Sequence, residues 1–118
     1  MGETTMNISS EHSEQVGFVN WWRNKFPDII IFAIANGGKR DMTTAKRLKD
    51  EGVLKGIPDL MIPSMGIFIE MKRTHGGRLS DEQTEMISYL ERVGYTCIVA
   101  AGAEDASRKI LEMRRKIE

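Results

Sequence analysis

The stretch GIPDLMIPSMGIFIEMKR, Gly56 to Arg73, sets the strongest constraint on what this chain can fold into. Ile57, Leu60, Met61, Ile62, Ile67, Phe68 and Ile69 make it apolar on both faces of an extended backbone. Such strands belong in a sheet covered on both sides. Yet Asp59, Glu70 and Lys72 stand inside the run, and buried charges are normally paired or bound to metal. Ser64-Met65-Gly66 marks a turn between a strand from about Pro58 to Pro63 and another from Ile67 to Lys72.

Side chains alternate along a strand, so Glu70 and Lys72 share one face and Ile69 and Met71 the other. A two-residue loop pairs Pro63 with Gly66, and a four-residue loop pairs Ile62 with Ile67. Both set Asp59 opposite Glu70, with about 5 Å between their Cβ atoms. A three-residue loop would put the two acids on opposite faces. Facing carboxylates repel, and a hard divalent cation between them removes that cost. A lysine one step along suits a second role, orienting an attacking water or stabilising charge on a phosphate. The plain alternative is a salt bridge on a solvated hairpin, which the apolar flanks disfavour.

The rest of the chain reads as helices around this hairpin. Ser9 or Ser10 caps a first helix, with Glu11 and Glu14 early and Val16, Val19 and Trp22 as its apolar stripe, widened by Phe18, Trp21 and Phe26. Ile29 to Ala35 reads as a buried strand. A loop, NGGKRDM, leads to a short helix capped by Thr43 or Thr44 and ended by Gly52. Ser80 with Gln83 forms a capping-box signature for a helix whose stripe is Met86, Ile87, Leu90 and Val93. Tyr95 to Ala101 is a last strand, and a helix follows from about Ala103 to Ile117, with Ile110, Leu111 and Met113 apolar. The order α-β-α-β-β-α-β-α points to an α/β or α+β fold, a mixed central sheet flanked by helices.

Composition narrows the function. The 118 residues suit one domain, with polar residues 1–9 expected to fray. No run approaches the ~20 apolar residues of a membrane span, and the N-terminus lacks a signal-peptide layout. Cys97 stands alone, which excludes an intrachain disulfide and a cysteine zinc cluster. His12 and His75 are too few for a zinc site. A cytoplasmic location is expected. Net charge is zero, but Asn36 to Arg78 holds nine basic residues against five acids. That local excess is ambiguous by itself.

Pro58-Asp59 followed by Glu70-Met71-Lys72 resembles the PD-(D/E)XK nuclease superfamily. "NGGKRDMTTAKRLKDEGVLKGIPDLMI" and "IFIEMKRTHGGRLSDEQTEMISYLERVGYTCIVAAG" resemble one branch, the VRR-NUC domain, in its G-x-P-D, E-x-K and G-x-L-S-x-x-Q blocks. The resemblance covers roughly Glu11 to Asp105. It implies a restriction-endonuclease-like core and a phosphodiesterase acting on DNA with Mg2+ or Mn2+. It further implies a phage-encoded or bacterial protein that cuts branched DNA, such as a Holliday junction, as a homodimer. Asp59 and Glu70 would hold the metal with the Met71 carbonyl, and Lys72 would assist catalysis. A first-helix glutamate would complete the acid site, and Glu14 is preferred over Glu11 because it leads directly into the apolar run. Gln83 matches a family glutamine bordering the site, a role that competes with its place in the capping box. Lys39, Arg40, Arg73, His75 and Arg78 are candidate phosphate contacts. Gly56 would admit a phosphate or serve a plain turn. Trp21 and Trp22 read as core or dimer contacts. The competing function is a non-catalytic DNA-binding or restriction-accessory relative of the same fold. A hydrolase of small phosphate esters is a third option, disfavoured because no glycine-rich phosphate loop is present.

Overall fold

The computed structural model describes residues 9–35 and 41–117. Its centre is the expected hairpin. Strands β2 (Leu60–Ile62) and β3 (Ile67–Lys72) pair antiparallel, with Leu60 opposite Ile69 and Ile62 opposite Ile67. A 3-10 turn, Pro63–Met65, joins them, and Gly66 closes it in the left-handed region at φ 62°. This is the four-residue loop, and its register carries Asp59 to the strand end beside Glu70.

The helices are α1 (Glu11–Lys25), α2 (Met42–Asp50), α3 (Asp81–Arg92) and α4 (Ala103–Ile117), and the outer strands are β1 (Phe32–Ala33) and β4 (Thr96–Ala101). The sheet runs β1-β2-β3-β4, with β4 parallel to β3 and the other pairs antiparallel. The element order is the one the sequence predicts. Ile67, Ile69 and Met71 face a core with Leu60, Ile62, Ile98 and Ala100, closed by Phe18 and Trp22 of α1 and by Ala106 and Ile110 of α4. Phe68, Glu70 and Lys72 alternate onto the other face. There Phe68 meets Tyr95 edge-on at 5.2 Å, and Gln83 of α3 meets Glu70 and Lys72. Among the described residues no helix is long and apolar enough to cross a membrane.

Of the two serines expected to cap α1, Ser10 takes the role, its side chain accepting from Ser13 N. Other local expectations are corrected. The buried pair on α1 is Phe18 and Trp22, while Val16 is 44% exposed. Trp22 is wholly enclosed by its own chain, so it offers no surface to a second copy. The Ile29–Ala35 segment is not a buried strand: only Phe32 and Ala33 join the sheet, both exposed. The segment lies at the sheet edge with β2 on one side only, and side chains take some of its carbonyls. Trp22 Nε1 donates to Ile29 O at 2.8 Å, and Arg23 Nη2 donates to Ile31 O at 3.1 Å. The α2 cap is Asp41 rather than a threonine; its carboxylate accepts from Thr44 N at 2.7 Å, which holds the carboxyl below its usual range.

Gly56 also departs from expectation. It adopts φ +87°, and a Cβ there would lie 2.5 Å from Glu82 O and 3.0 Å from Gln83 N. The space assigned to a phosphate is filled by the first turn of α3. Gly52 has a similar φ of +105° but open space around it. Gly52→Ala should therefore cost only the left-handed strain of about 1–2 kcal/mol. Gly56→Ala should cost more, because backbone must also move. Urea midpoints of the two variants measure this, and equal losses would contradict the close approach.

Candidate active site

The site assembles where the hairpin opens and α3 begins. Glu70 is 2% exposed, held in the middle of β3 by apolar neighbours on both sides. Its Oε2 accepts from Gln83 Nε2 at 3.0 Å and lies 3.5 Å from Lys72 Nζ. Its Oε1 is buried with no hydrogen-bond partner among the described residues. Burial, and then the nearby Asp59 charge, push the Glu70 carboxyl up from 4.5 to about 8, with Lys72 opposing.

Asp59 is half-buried at the entry to β2. Its Oδ2 accepts from Met71 N at 2.8 Å, and its own carbonyl accepts from Ile34 N at 2.8 Å. The acid is thereby tied to both neighbouring strands. The Met71 side chain is fully buried in the core, while its main chain joins the site through that amide. Lys72 reaches along the same face as Glu70, and its Nζ donates to Gln83 Oε1 at 3.0 Å. Gly77 clears room for it, since a Cβ there would sit 2.9 Å from Lys72 Cβ.

Gln83 connects these groups. Oε1 accepts from Lys72 Nζ and also from Ser80 N at 2.9 Å, while Nε2 serves Glu70. The capping role and the site role were expected to compete; one amide makes both sets of contacts. Ser80 and Gly56 seat that turn of α3, Ser80 through its cap and Gly56 through its close approach to Glu82 and Gln83. Ser80 carried a signal in its capping-box spacing, but nothing in the sequence linked Gly56 to α3.

Glu14 Oε1 accepts from Ala103 N at 2.7 Å, at the start of α4. Among the described residues no three His, Cys, Asp or Glu side chains gather as a metal site. Glu11 is exposed on the first turn of α1. Arg73, His75 and Arg78 are exposed in the segment after β3, with Arg73 Nη2 turned back to Gly76 O at 3.5 Å. Lys39 and Arg40 lie outside the described residues.

The model of the VRR-NUC domain matches residues 9–104. The chain belongs to the VRR-NUC domain family. It is similar to a solved structure, a VRR_NUC domain protein, with a TM-score of 0.73 and 26% identity over 89% of this chain and 88% of that one. A search of curated proteins finds no match. The VRR-NUC match takes in α1, the whole hairpin, α3 and β4, and therefore every residue of the site just described.

Glu70 gives this VRR-NUC domain a pH-dependent stability. Its folded value lies above its ordinary one, so folding favours the protonated form. That contribution is complete below about 4.5 and is lost as pH rises through about 8. In metal-free protein the melting temperature should fall from about pH 5 to about pH 8, and Glu70→Gln should flatten the fall. Calorimetry in chelator measures it. A slope unchanged by Glu70→Gln would contradict the buried carboxylate.

Proposed function

We propose that this VRR-NUC domain is a metal-dependent DNA nuclease that hydrolyses phosphodiester bonds in branched DNA as a homodimer. The observation that carries the reading is the buried Oε1 of Glu70, without a hydrogen-bond partner among the described residues, on a carboxylate facing Asp59 with an ammonium beside it. A buried carboxylate oxygen without a donor is costly when ionised, so without metal it favours a proton, and a divalent cation can take that proton's place. The donor set is oxygen: Asp59, Glu70 and the Met71 carbonyl, which suits Mg2+ or Mn2+. Such a cation supplies Lewis acidity toward a phosphate oxygen and a lower pKa for water.

The chain's own groups do the rest. Asp59 and Glu70 concentrate negative charge at one point, and the strands hold them there. The Lys72 ammonium, steadied by Gln83 Oε1, donates toward charge that grows on the phosphate as its bond breaks. Gln83 Nε2 occupies Glu70 Oε2 and leaves Oε1 for the cation. Arg73, His75 and Arg78 follow β3 directly and lie within reach of flanking phosphates, with Lys39 and Arg40 as further contacts. Glu14, held at the α1–α4 junction by the Ala103 amide, is the first-helix acid that would complete the site.

Lys72→Ala should lower turnover by about 10²–10³ with DNA affinity largely kept, since the ammonium acts on developing charge. Asp59→Asn should lose metal as well. Cleavage of labelled DNA with magnesium and with manganese tests this, and a Lys72→Ala rate above about a tenth of wild type would remove the lysine from its role.

Assembly and substrate have separate tests. One copy is small and carries no net charge, so a two-fold pair is needed to join two basic strips into one track. Light scattering should give twice the 13.4 kDa chain mass; a 13.4 kDa species would contradict the dimer. A four-way junction should be cut faster than linear duplex or flap. Equal rates would leave a nuclease without junction preference.

A further inference from the structure

We propose that Ser80 is a positioning residue: its capping box fixes the orientation of the Gln83 amide, and that amide sets Lys72 and Glu70 relative to each other. The kinetic half of this inference rests on the nuclease reading above.

A side-chain amide has an accepting end and a donating end. Three contacts here agree on which is which. The Ser80 main-chain N–H can only donate, and it meets Oε1 at 2.9 Å. Lys72 Nζ can only donate, and it meets the same oxygen at 3.0 Å. The remaining end must then be the NH2, and it meets an acceptor, Glu70 Oε2, at 3.0 Å. A flipped amide would lose all three contacts and set its NH2 against two donors. Among the described residues, the Ser80 N–H is thus the reference outside the reacting groups that tells the amide which way to face.

That reference is itself held. Ser80 Oγ accepts from Gln83 N at 3.1 Å, and Ser80 O accepts from Thr84 N and from Thr84 Oγ1, each at 3.0 Å. From below, Gly56 lies so close to Glu82 O and Gln83 N that this turn rests on backbone rather than on a movable side chain. A cap at the surface of α3 is therefore connected in two hydrogen bonds to Lys72 and Glu70. If the turn loosens, Lys72 loses its neutral acceptor. Its ammonium, already 3.5 Å from Glu70 Oε2, then closes on that carboxylate as a direct ion pair. Charge intended for phosphate is spent inside the protein. The DNA contacts expected from Arg73, His75 and Arg78 are untouched by this change.

The test is a graded series at one position. Ser80→Ala removes Oγ and keeps the N–H. Ser80→Pro removes both, and Ser80 sits at φ −77°, which proline accepts. Ser80→Thr keeps both. The inference expects kcat to fall ~10-fold in Ser80→Ala and toward ~100-fold in Ser80→Pro, with KM for DNA little changed and Ser80→Thr restoring activity. Ser10→Ala, which removes the α1 cap, should lower the melting temperature similarly but keep kcat. Equal kcat across the Ser80 series, or equal loss in Ser10→Ala, would overturn the inference while leaving the nuclease intact. If wild type cuts no DNA with either metal, the nuclease reading falls, and the Gln83 side-chain amide protons decide the inference by NMR. Protons fixed in wild type and released in Ser80→Pro support it; protons equally free in both overturn it.

Discussion

The burial of one carboxylate organises this molecule. Glu70 sits in the middle of β3, where the residues on either side of it, Ile69 and Met71, are fully enclosed. Its neighbours share that cost unevenly. Gln83 donates to one oxygen, Lys72 offers partial neutralisation, and Asp59 adds repulsion. The other oxygen has no partner among the described residues. An arrangement that stabilised the fold alone would fill that position with a donor or replace the acid with an apolar side chain. Here the adjoining structure is built to keep the acid in place.

Support for it comes from local chemistry acting at a distance. The capping box of α3 orients Gln83, Gly56 lets α3 sit on the loop that delivers Asp59, and Gly77 leaves space for the Lys72 stem. Glu14, from the other face of the sheet, fastens α1 to the first amide of α4. Asp59, Glu70, Lys72 and Gln83 are thus brought together by the hairpin and α3 on one face of the sheet. Cys97 takes no part: burial pushes its thiol up to about 11 and leaves it neutral.

What could be read from the sequence was mostly local. The bounds of β3 and α4 follow from abrupt changes between apolar runs and turn residues, and the Ser80-to-Gln83 spacing states the α3 cap outright. The sequence narrowed the hairpin to turns that either face Asp59 with Glu70 or separate them, and the four-residue loop selects the facing register. What failed needed knowledge of neighbours. Ile29–Ala35 has the composition of a buried strand, yet its position at the sheet edge leaves Ile30 70% exposed. Gly56 looks like any turn glycine until α3 is placed on it. The Phe18–Trp22 pair, rather than Val16, faces inward because α4 fixes which side of α1 is covered. The dual use of Gln83 was missed because a capping-box side chain was assumed to be fully occupied, whereas its oxygen takes two donors.

The central claim is that Glu70 Oε1, without a partner among the described residues, would face a divalent cation shared with Asp59. Anomalous diffraction from crystals soaked in manganese tests it most directly. The account predicts a peak about 2.0–2.3 Å from Glu70 Oε1 and from an Asp59 carboxylate oxygen, with oxygen ligands only. No peak at that position, or a Glu70 Oε1 satisfied by a protein donor, would contradict it.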